Sequence, residues 1–252
     1  NIGEKTMSGH SHAANIAVKK AKQDAVRGKI FTKVGREIAV AAKNNPDPST
    51  NSKLADAIAK AKSVNMPNDN IKRCIAKASG ELSGANYEEL TYEGYGPAGS
   101  AVIIKTLTDN KNRTVDYVRT VMRKHGGSLG NTGCVSFTFT NTGVIVIERT
   151  PALSEDAVME YALDAGADDV ISTDDAFEVH TSPSEFSSVR KYLEDKGLNF
   201  FEAEVRMLPQ NKITLEGEEL AKFEKLVDAL EDLDDVQDVF HNVDLPEEDE
   251  EE

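Results

Sequence analysis

The sequence predicts an α+β protein, an N-terminal helical bundle followed by two ferredoxin-like α/β sandwiches, one inserted in the other. Three observations predict it. Apolar residues in the first third recur at three- and four-residue spacing, the pattern of helices with one buried face. From residue 101 onward, short β-type runs alternate with amphipathic stretches in the order of βαβ units. The charge also divides: residues 1–84 hold 15 Lys+Arg against 7 Asp+Glu, and residues 85–252 hold 14 against 37, so +8 and −23 sum to the −15 of the whole chain.

The elements follow in order. In Lys29–Lys43 the residues Phe31, Val34, Ile38 and Ala41 share one stripe, with Lys29, Lys33, Arg36 and Lys43 on another. Leu54, Ile58 and Ala61 repeat the pattern after the loop Asn45–Asn51, and Ile71, Cys74, Ile75 and Ala78 repeat it behind Pro67. Upstream, Asn15–Arg27 offers only a thin alanine stripe and is expected to stay mobile until bound. Ala101–Thr108 reads as a buried strand, Arg113–Lys124 as a helix and Val135–Phe139 as a strand, one βαβ half. Val144–Glu148, a helix from Ser154 to Ala165, strands at Asp169–Thr173 and Phe177–Thr181, a helix to Lys196 and a strand from Glu202 make a full βαββαβ unit. Its second helix carries Ser182 as N-cap, Pro183, Glu185 as a capping box and Gly197 past the end. Lys212–Leu215, a helix with Leu220, Phe223, Val227 and Leu230, and Val236–Val243 form a half without a partner. That orphan is expected to pair with residues 101–139, since an unpaired half leaves an open sheet edge.

The expected division is therefore a basic helical unit over 1–84 with a flexible N-terminus, a split sandwich from 85–141 plus 209–245, an inserted sandwich over 142–208, and a disordered acidic tail at 246–252. No run approaches the roughly 18 apolar residues of a membrane span. Cys74 and Cys134 lie far apart without metal-ligand spacing, so a reducing, cytoplasmic address is expected. Asn1–Thr6 read as an upstream extension or a cloning remnant, not a targeting signal.

Enzymatic chemistry finds no candidate. His10, His12, His125, His180 and His241 are scattered, and no nucleophile has a recognisable partner spacing. Gly94, Gly96 and Gly99 match GxGxxG, but the stretch contains Pro97 and leads into a strand, so it reads as a turn; no cofactor is expected. A metal-chelating Ser8-Gly9-His10 terminus is outweighed by a flexible polar one. Phe137 and Phe139 alternate with Val135 and read as core, not as base-stacking rings.

The basic stripe carries the functional expectation. Between His10 and Arg36 stand seven Lys/Arg and one acid, Asp24, whereas a merely solvated helix intersperses acids. Polyanion binding is expected at His10, His12, Asn15, Lys19, Lys20, Lys22, Arg27, Lys29, Lys33 and Arg36. Lys111 and Arg113, between a strand and a helix N-terminus, form a second patch, with N-capping by Asp109 or Asn112 the competing reading. There is no helix-turn-helix signature and no dimer seam, so a monomer contacting RNA is favoured modestly over a duplex reader.

Several strings then carry a resemblance: Ser8–Lys43, Asn65–Ile71 (NMPNDNI), Tyr92–Ile104 (YEGYGPAGSAVII), Thr108–Thr114 (TDNKNRT) and Gly126–Phe137 (GGSLGNTGCVSF). In order, they resemble the YebC/PmpR family, which includes the mitochondrial translational activator of cytochrome c oxidase. The resemblance spans Met7 to about Val243. It implies a three-domain cytoplasmic protein, either a ribosome-associated translation factor that contacts rRNA through the basic unit and relieves stalling, or a DNA-binding transcriptional regulatory protein. The acidic sandwiches would then contact proteins or keep the factor soluble. The chain departs from the family's usual opening at His12, Ala13, Ala17 and Val18, where Lys-Trp and Lys-His are usual.

Overall fold

The computed structural model describes residues 27–79 and 86–246. Its order is α1 (Arg27–Ala42), α2 (Ser52–Ser63), α3 (Asn68–Ser79), β1 (Glu88–Tyr95), β2 (Ala101–Thr108), α4 (Lys111–Lys124), β3 (Ser128–Leu129), β4 (Phe139–Glu148), α5 (Glu155–Ala165), β5 (Asp169–Ser172), β6 (Ala176–Thr181), α6 (Phe186–Asp195), β7 (Phe200–Pro209), β8 (Ile213–Thr214), α7 (Gly217–Glu231), β9 (Val236–His241) and β10 (Val243–Asp244). The mixed α+β class holds. The stretch Asn15–Asp24 and residues 247–252 of the tail lie outside the described residues.

Three helices form a layer around Val34, Ile38, Leu54, Ala61, Met66 and Ile71. Each fully buried side chain of this size stabilises by about 1.5–3 kcal/mol. Asn51 joins the first two helices: its side-chain oxygen accepts from Leu54 N–H at 3.1 Å, and its amide donates to the carbonyls of Ala41 at 2.8 Å and Asn45 at 2.7 Å.

The first sheet has the order β3-β1-β2-β9, all antiparallel. β9 lies beside β2, with Val102 opposite His241 and Ile104 opposite Val239. The two halves thus meet in one sheet, but not through the strands expected. Val135–Phe139 is no strand of this sheet: Ser136–Thr138 make one 3-10 turn, and Phe139 opens β4 in the other sheet. The cause is Glu93, whose buried carboxylate accepts from the backbone N–H groups of Gly133, Val135 and Ser136 and so removes them from any ladder. β1 fills the remaining place, arriving before β2 in the chain. Gly96–Ser100 is the turn between them, with Gly96 N–H donating to Ser100 carbonyl at 2.8 Å, while Gly94 lies inside β1.

β2 is buried on both faces, which explains its unbroken AVII run. Val102 and Ile104 pack with Val118, Met122, Phe223 and Leu226 of α4 and α7; Ala101 and Ile103 pack with Val135, Phe139 and Phe240 on the far side. Lys212–Leu215 supplies only the two-residue β8, paired in parallel with β10 and outside the main sheet.

The second sheet has the order β5-β6-β4-β7, with α5 and α6 on the face of Ile145, Ile147, Phe177 and Val179. α5 begins and ends as its signals say, with Ser154 oxygen accepting from Ala157 N–H at 3.2 Å and Gly166 left-handed. α6 begins later than its signals. Residues 183–185 form a turn, and the Ser182 hydroxyl faces Ser184 at 3.2 Å instead of capping.

A half-buried charge cluster binds the three layers. Lys60 of α2 reaches Glu204 of β7 at 2.8 Å, Glu37 of α1 at 3.1 Å and Asp238 of β9 at 3.4 Å. Arg206 pairs with Glu204 at 2.8 Å and Glu202 at 3.0 Å, and stacks over Phe240. Four carboxylates against two cations leave excess negative charge in a half-buried place, and burial pushes the Glu37 carboxyl up to about 7. Arg190 of α6 adds a bond to Asp56 of α2 at 2.7 Å.

Candidate nucleic-acid interface

Lys29, Lys33 and Arg36 of α1 are engaged by the end of α7 and the loop after it. Lys29 pairs with Asp232, and Lys33 donates to the Glu231 carbonyl. Arg36 donates to the Leu107 carbonyl at 2.9 Å and to Asp235 at 3.2 Å, with its guanidinium over the Tyr87 ring. Arg113 reaches the same Asp235 at 3.0 Å and Asp109 at 2.8 Å, and the Thr114 hydroxyl donates to Asp235 at 2.8 Å. These groups line a cleft of about 770 Å³ that also holds Tyr87 and Tyr117.

Asp235 sits at the centre. Burial would raise its carboxyl, but the bonds from Arg113, Thr114 and Arg36 outweigh burial and hold it below the usual carboxylate range. Burial lowers the Lys33 ammonium against the pull of Glu231 and Asp238. The cleft is thus an internally compensated seam: Lys29, Arg36 and Arg113 meet Asp109, Asp232, Asp234 and Asp235. A phosphate there would have to displace carboxylates already in contact.

This revises the expected stripe. Lys29, Lys33 and Arg36 hold α1 to the end of α7 and the loop after it, contacts between residues some two hundred positions apart, and Arg113 of α4 shares Asp235 with Arg36. Lys111 is exposed in the first turn of α4, whose N-cap is Asn110, accepting from Arg113 N–H at 3.0 Å; neither Asp109 nor Asn112 caps it. Arg27 opens α1 and is exposed. His10, His12, Asn15, Lys19, Lys20 and Lys22, with the departures at His12, Ala13, Ala17 and Val18, lie outside the described residues.

A further set of cations that face solvent on the helical layer stands outside the predicted stripe. α3 buries Ile71 and Ala78 and exposes Lys72, Arg73 and Lys77. It follows α2 after only Val64–Pro67, a turn with Asn65 at φ 60°, the left-handed conformation that lets a chain reverse sharply. α2 and α3 are thus two helices joined by a four-residue turn, the second with an outward cationic face. The signal was present as Lys72, Arg73 and Lys77 interleaved with the apolar stripe of Ile71, Cys74, Ile75 and Ala78.

The whole fold has a solved counterpart, the crystal structure of a conserved hypothetical protein, Aq1575, from Aquifex aeolicus. The two superpose with a TM-score of 0.78 at 43% identity, over 92% of this chain and 96% of that one. Two family models match the sequence, the TACO1/YebC protein N-terminal domain over residues 11–81 and the TACO1/YebC second and third domain over residues 87–243. The chain belongs to the TACO1/YebC family. It is 56% identical to the "Probable transcriptional regulatory protein ORF2U" of Hathewaya histolytica, over 96% of this chain and 98% of that protein. It is also 56% identical to a "Probable transcriptional regulatory protein" of Acetivibrio thermocellus, over 94% and 98% of the two chains. A Thermoanaerobacter pseudethanolicus protein of the same description is 52% identical over 97% and 100%. These descriptions are regulatory, favour the transcriptional alternative, and make no mention of the ribosome. Among the described residues no helix is long and apolar enough to cross a membrane.

Proposed function

We propose that this protein is a nucleic-acid-binding regulator of gene expression that acts on transcription through duplex DNA. The observation that carries the proposal is the α2–turn–α3 unit with Lys72, Arg73 and Lys77 outward, within residues 1–84, which carry a net +8. Residues at the start of a second helix are those that reach base edges in a major groove, while cations along it hold phosphates. The relatives' descriptions point the same way. The strongly acidic remainder limits non-specific adhesion, so the cationic face works as a local potential in an anionic protein.

The test is binding of the full chain to labelled genomic duplex fragments at two salt concentrations, with the charge reversals Lys72→Glu and Arg73→Glu. Affinity should fall in the double variant, and the slope of log affinity against log salt should flatten by about one unit for each phosphate no longer neutralised. Equal binding by the variant would remove α3 from the interface. Comigration of the protein with ribosomes on a sucrose gradient of lysate, with no duplex binding, would move the activity to translation.

A further inference from the structure

We propose that Tyr95, Phe137 and the last turn of α4 form a second nucleic-acid site, one that takes an unpaired strand by stacking a base on an aromatic ring. It is separate from α3 and goes beyond the duplex reading.

Three observations meet here. The first is exposure: Phe137 is 73% exposed and Tyr95 43%, while the neighbours Val135 and Phe139 are buried at 2% and 6%. Core packing therefore does not account for Phe137; the 3-10 turn at Ser136–Thr138 turns it out of the cluster its neighbours join.

The second is rigidity. Tyr95 hydroxyl donates to the Cys134 carbonyl at 3.0 Å, three residues before Phe137. Glu93 grips the N–H groups of Gly133, Val135 and Ser136, and Gln210 N–H donates to the Thr138 carbonyl at 2.9 Å on the other side. The ring is thus presented by a turn fastened at both ends, so little ordering is left for a ligand to induce.

The third is charge. Between Asp116 and Glu148 the sequence has no Asp or Glu, although the segment lies in the strongly acidic part of the chain. Within it, Arg123 and Lys124 are exposed in the last turn of α4. Cations there also complement the helix dipole, so by themselves they decide nothing. Their place decides: Gly127, just past the helix, lies so close to Tyr95 that a Cβ on it would stand 2.7 Å from the Tyr95 carbonyl oxygen, and Ser128 pairs with Tyr95 across β3 and β1. Tyr95 therefore links the cationic helix end to the turn that carries Phe137. The Glu93 carboxylate beneath the turn is buried and occupied by backbone N–H groups. Exposed rings joined through Tyr95 to a cationic helix end, on a run of sequence without Asp or Glu, suit a single strand, whose bases offer π-faces and whose phosphates seek positive charge. A basic protein partner would meet repulsion there.

The chain contains no tryptophan, which provides the probe. Phe137→Trp places a single indole at an exposed position without disturbing the core. Titration of the full chain with unstructured 12-mers, oligo-dT and oligo-U in parallel, should quench its emission saturably, less at high salt; the pair of oligomers tells DNA from RNA. Phe137→Ser, followed by a labelled oligomer, should weaken single-strand affinity about tenfold. Arg123→Glu with Lys124→Glu should weaken it further, and all variants should keep the melting temperature and duplex binding of the parent. Lys72→Glu with Arg73→Glu should leave single-strand binding unchanged. Absence of quenching, or a Phe137→Ser protein that binds single strands like the parent, overturns the proposal. Loss of duplex binding with single-strand binding retained would instead sink the duplex reading and leave this one standing.

Discussion

Replacing Lys60 with methionine probes the cluster that joins all three layers. The side chain is 19% exposed and faces carboxylates of Glu204 at 2.8 Å, Glu37 at 3.1 Å and Asp238 at 3.4 Å. Methionine fills most of the stem's volume, so the loss is mainly electrostatic. It leaves Arg206 as the one cation among four carboxylates. Removing one partner of a buried ionic group costs about 3–5 kcal/mol, because the remaining charges stay desolvated. For a chain of this size each kcal/mol moves the melting temperature by about 2–4 °C, so a fall of roughly 6–20 °C is expected at pH 8. The pH dependence gives the sharper test. Burial raises the Glu37 carboxyl to about 7, so the folded state holds its proton more tightly than the unfolded chain. Its contribution to stability is full below the unfolded value of about 4.3 and is lost as pH rises towards 7. Without Lys60 the carboxylates take up protons still more readily, and acidification relieves the repulsion. The gap between parent and variant, measured by calorimetry or urea unfolding, should therefore narrow from pH 8 to pH 5. A penalty under 1 kcal/mol, or one equal at both pH values, would refute the account of the cluster.

Asp235→Asn keeps the shape of the α1 seam but withdraws the charge that Arg36 and Arg113 share; unfolding free energy should drop by about 1–3 kcal/mol in urea titrations. Because the Asp235 carboxyl is held below its usual range, its share of stability is present above about pH 4 and lost as pH falls further, so the variant should show a shallower acid decline than the parent. Glu93→Gln replaces an acceptor for three backbone N–H groups with one that must turn an amide donor towards them; the half-buried Cys134 thiol should then react faster with maleimide, measured by peptide mass spectrometry. Gly94→Ala puts a Cβ 2.3 Å from the Ser128 carbonyl oxygen and should cost about 1–3 kcal/mol by parting β3 from β1. Gly28→Ala meets nothing within 4 Å on α1 and should instead raise the melting temperature slightly.

Most elements were legible because their periodicity is local. α1, α2, α3, α5 and the strands of the second sheet follow from apolar spacing and caps such as Ser154 and Gly166. The union of the distant halves was legible as well, since Lys212–Val243 alone would leave an open edge. What escaped was decided by tertiary partners. The β-type pattern of Val135–Phe139 is overridden by the Glu93 carboxylate, which lies some forty residues away in the chain. β1 was missed because Glu88–Tyr95 buries only Glu93 and Gly94, so its apolar signal is weak. At the site, the cations of α1 were legible, but the intramolecular partners of Lys29, Lys33 and Arg36 were not. Arg36 looks like a phosphate ligand until Asp235, far along the chain, folds beside it. The outward face of α3 could have been read from Lys72, Arg73 and Lys77, had cations been weighed against burial helix by helix.

The pairing of β2 with β9 has a temporal side. A chain made from its N-terminus exposes the buried-type run Ala101–Thr108 well before Val236–His241 exists, and the whole second sheet is completed in between. Contacts so distant in sequence form slowly, because a long loop must close first. The inserted unit, whose strands and helices are contiguous, is free to fold during synthesis while β2 waits with one edge unpaired. Asp235 arrives after the inserted unit, immediately before β9, and only then can Arg36 and Arg113 find their common partner. The α1 seam is thus closed only after the inserted unit has been made, whereas α2 already has its ties to that unit through Glu204 and Arg190; a chain cut short before Asp235 would leave Arg36 and Arg113 without their common carboxylate.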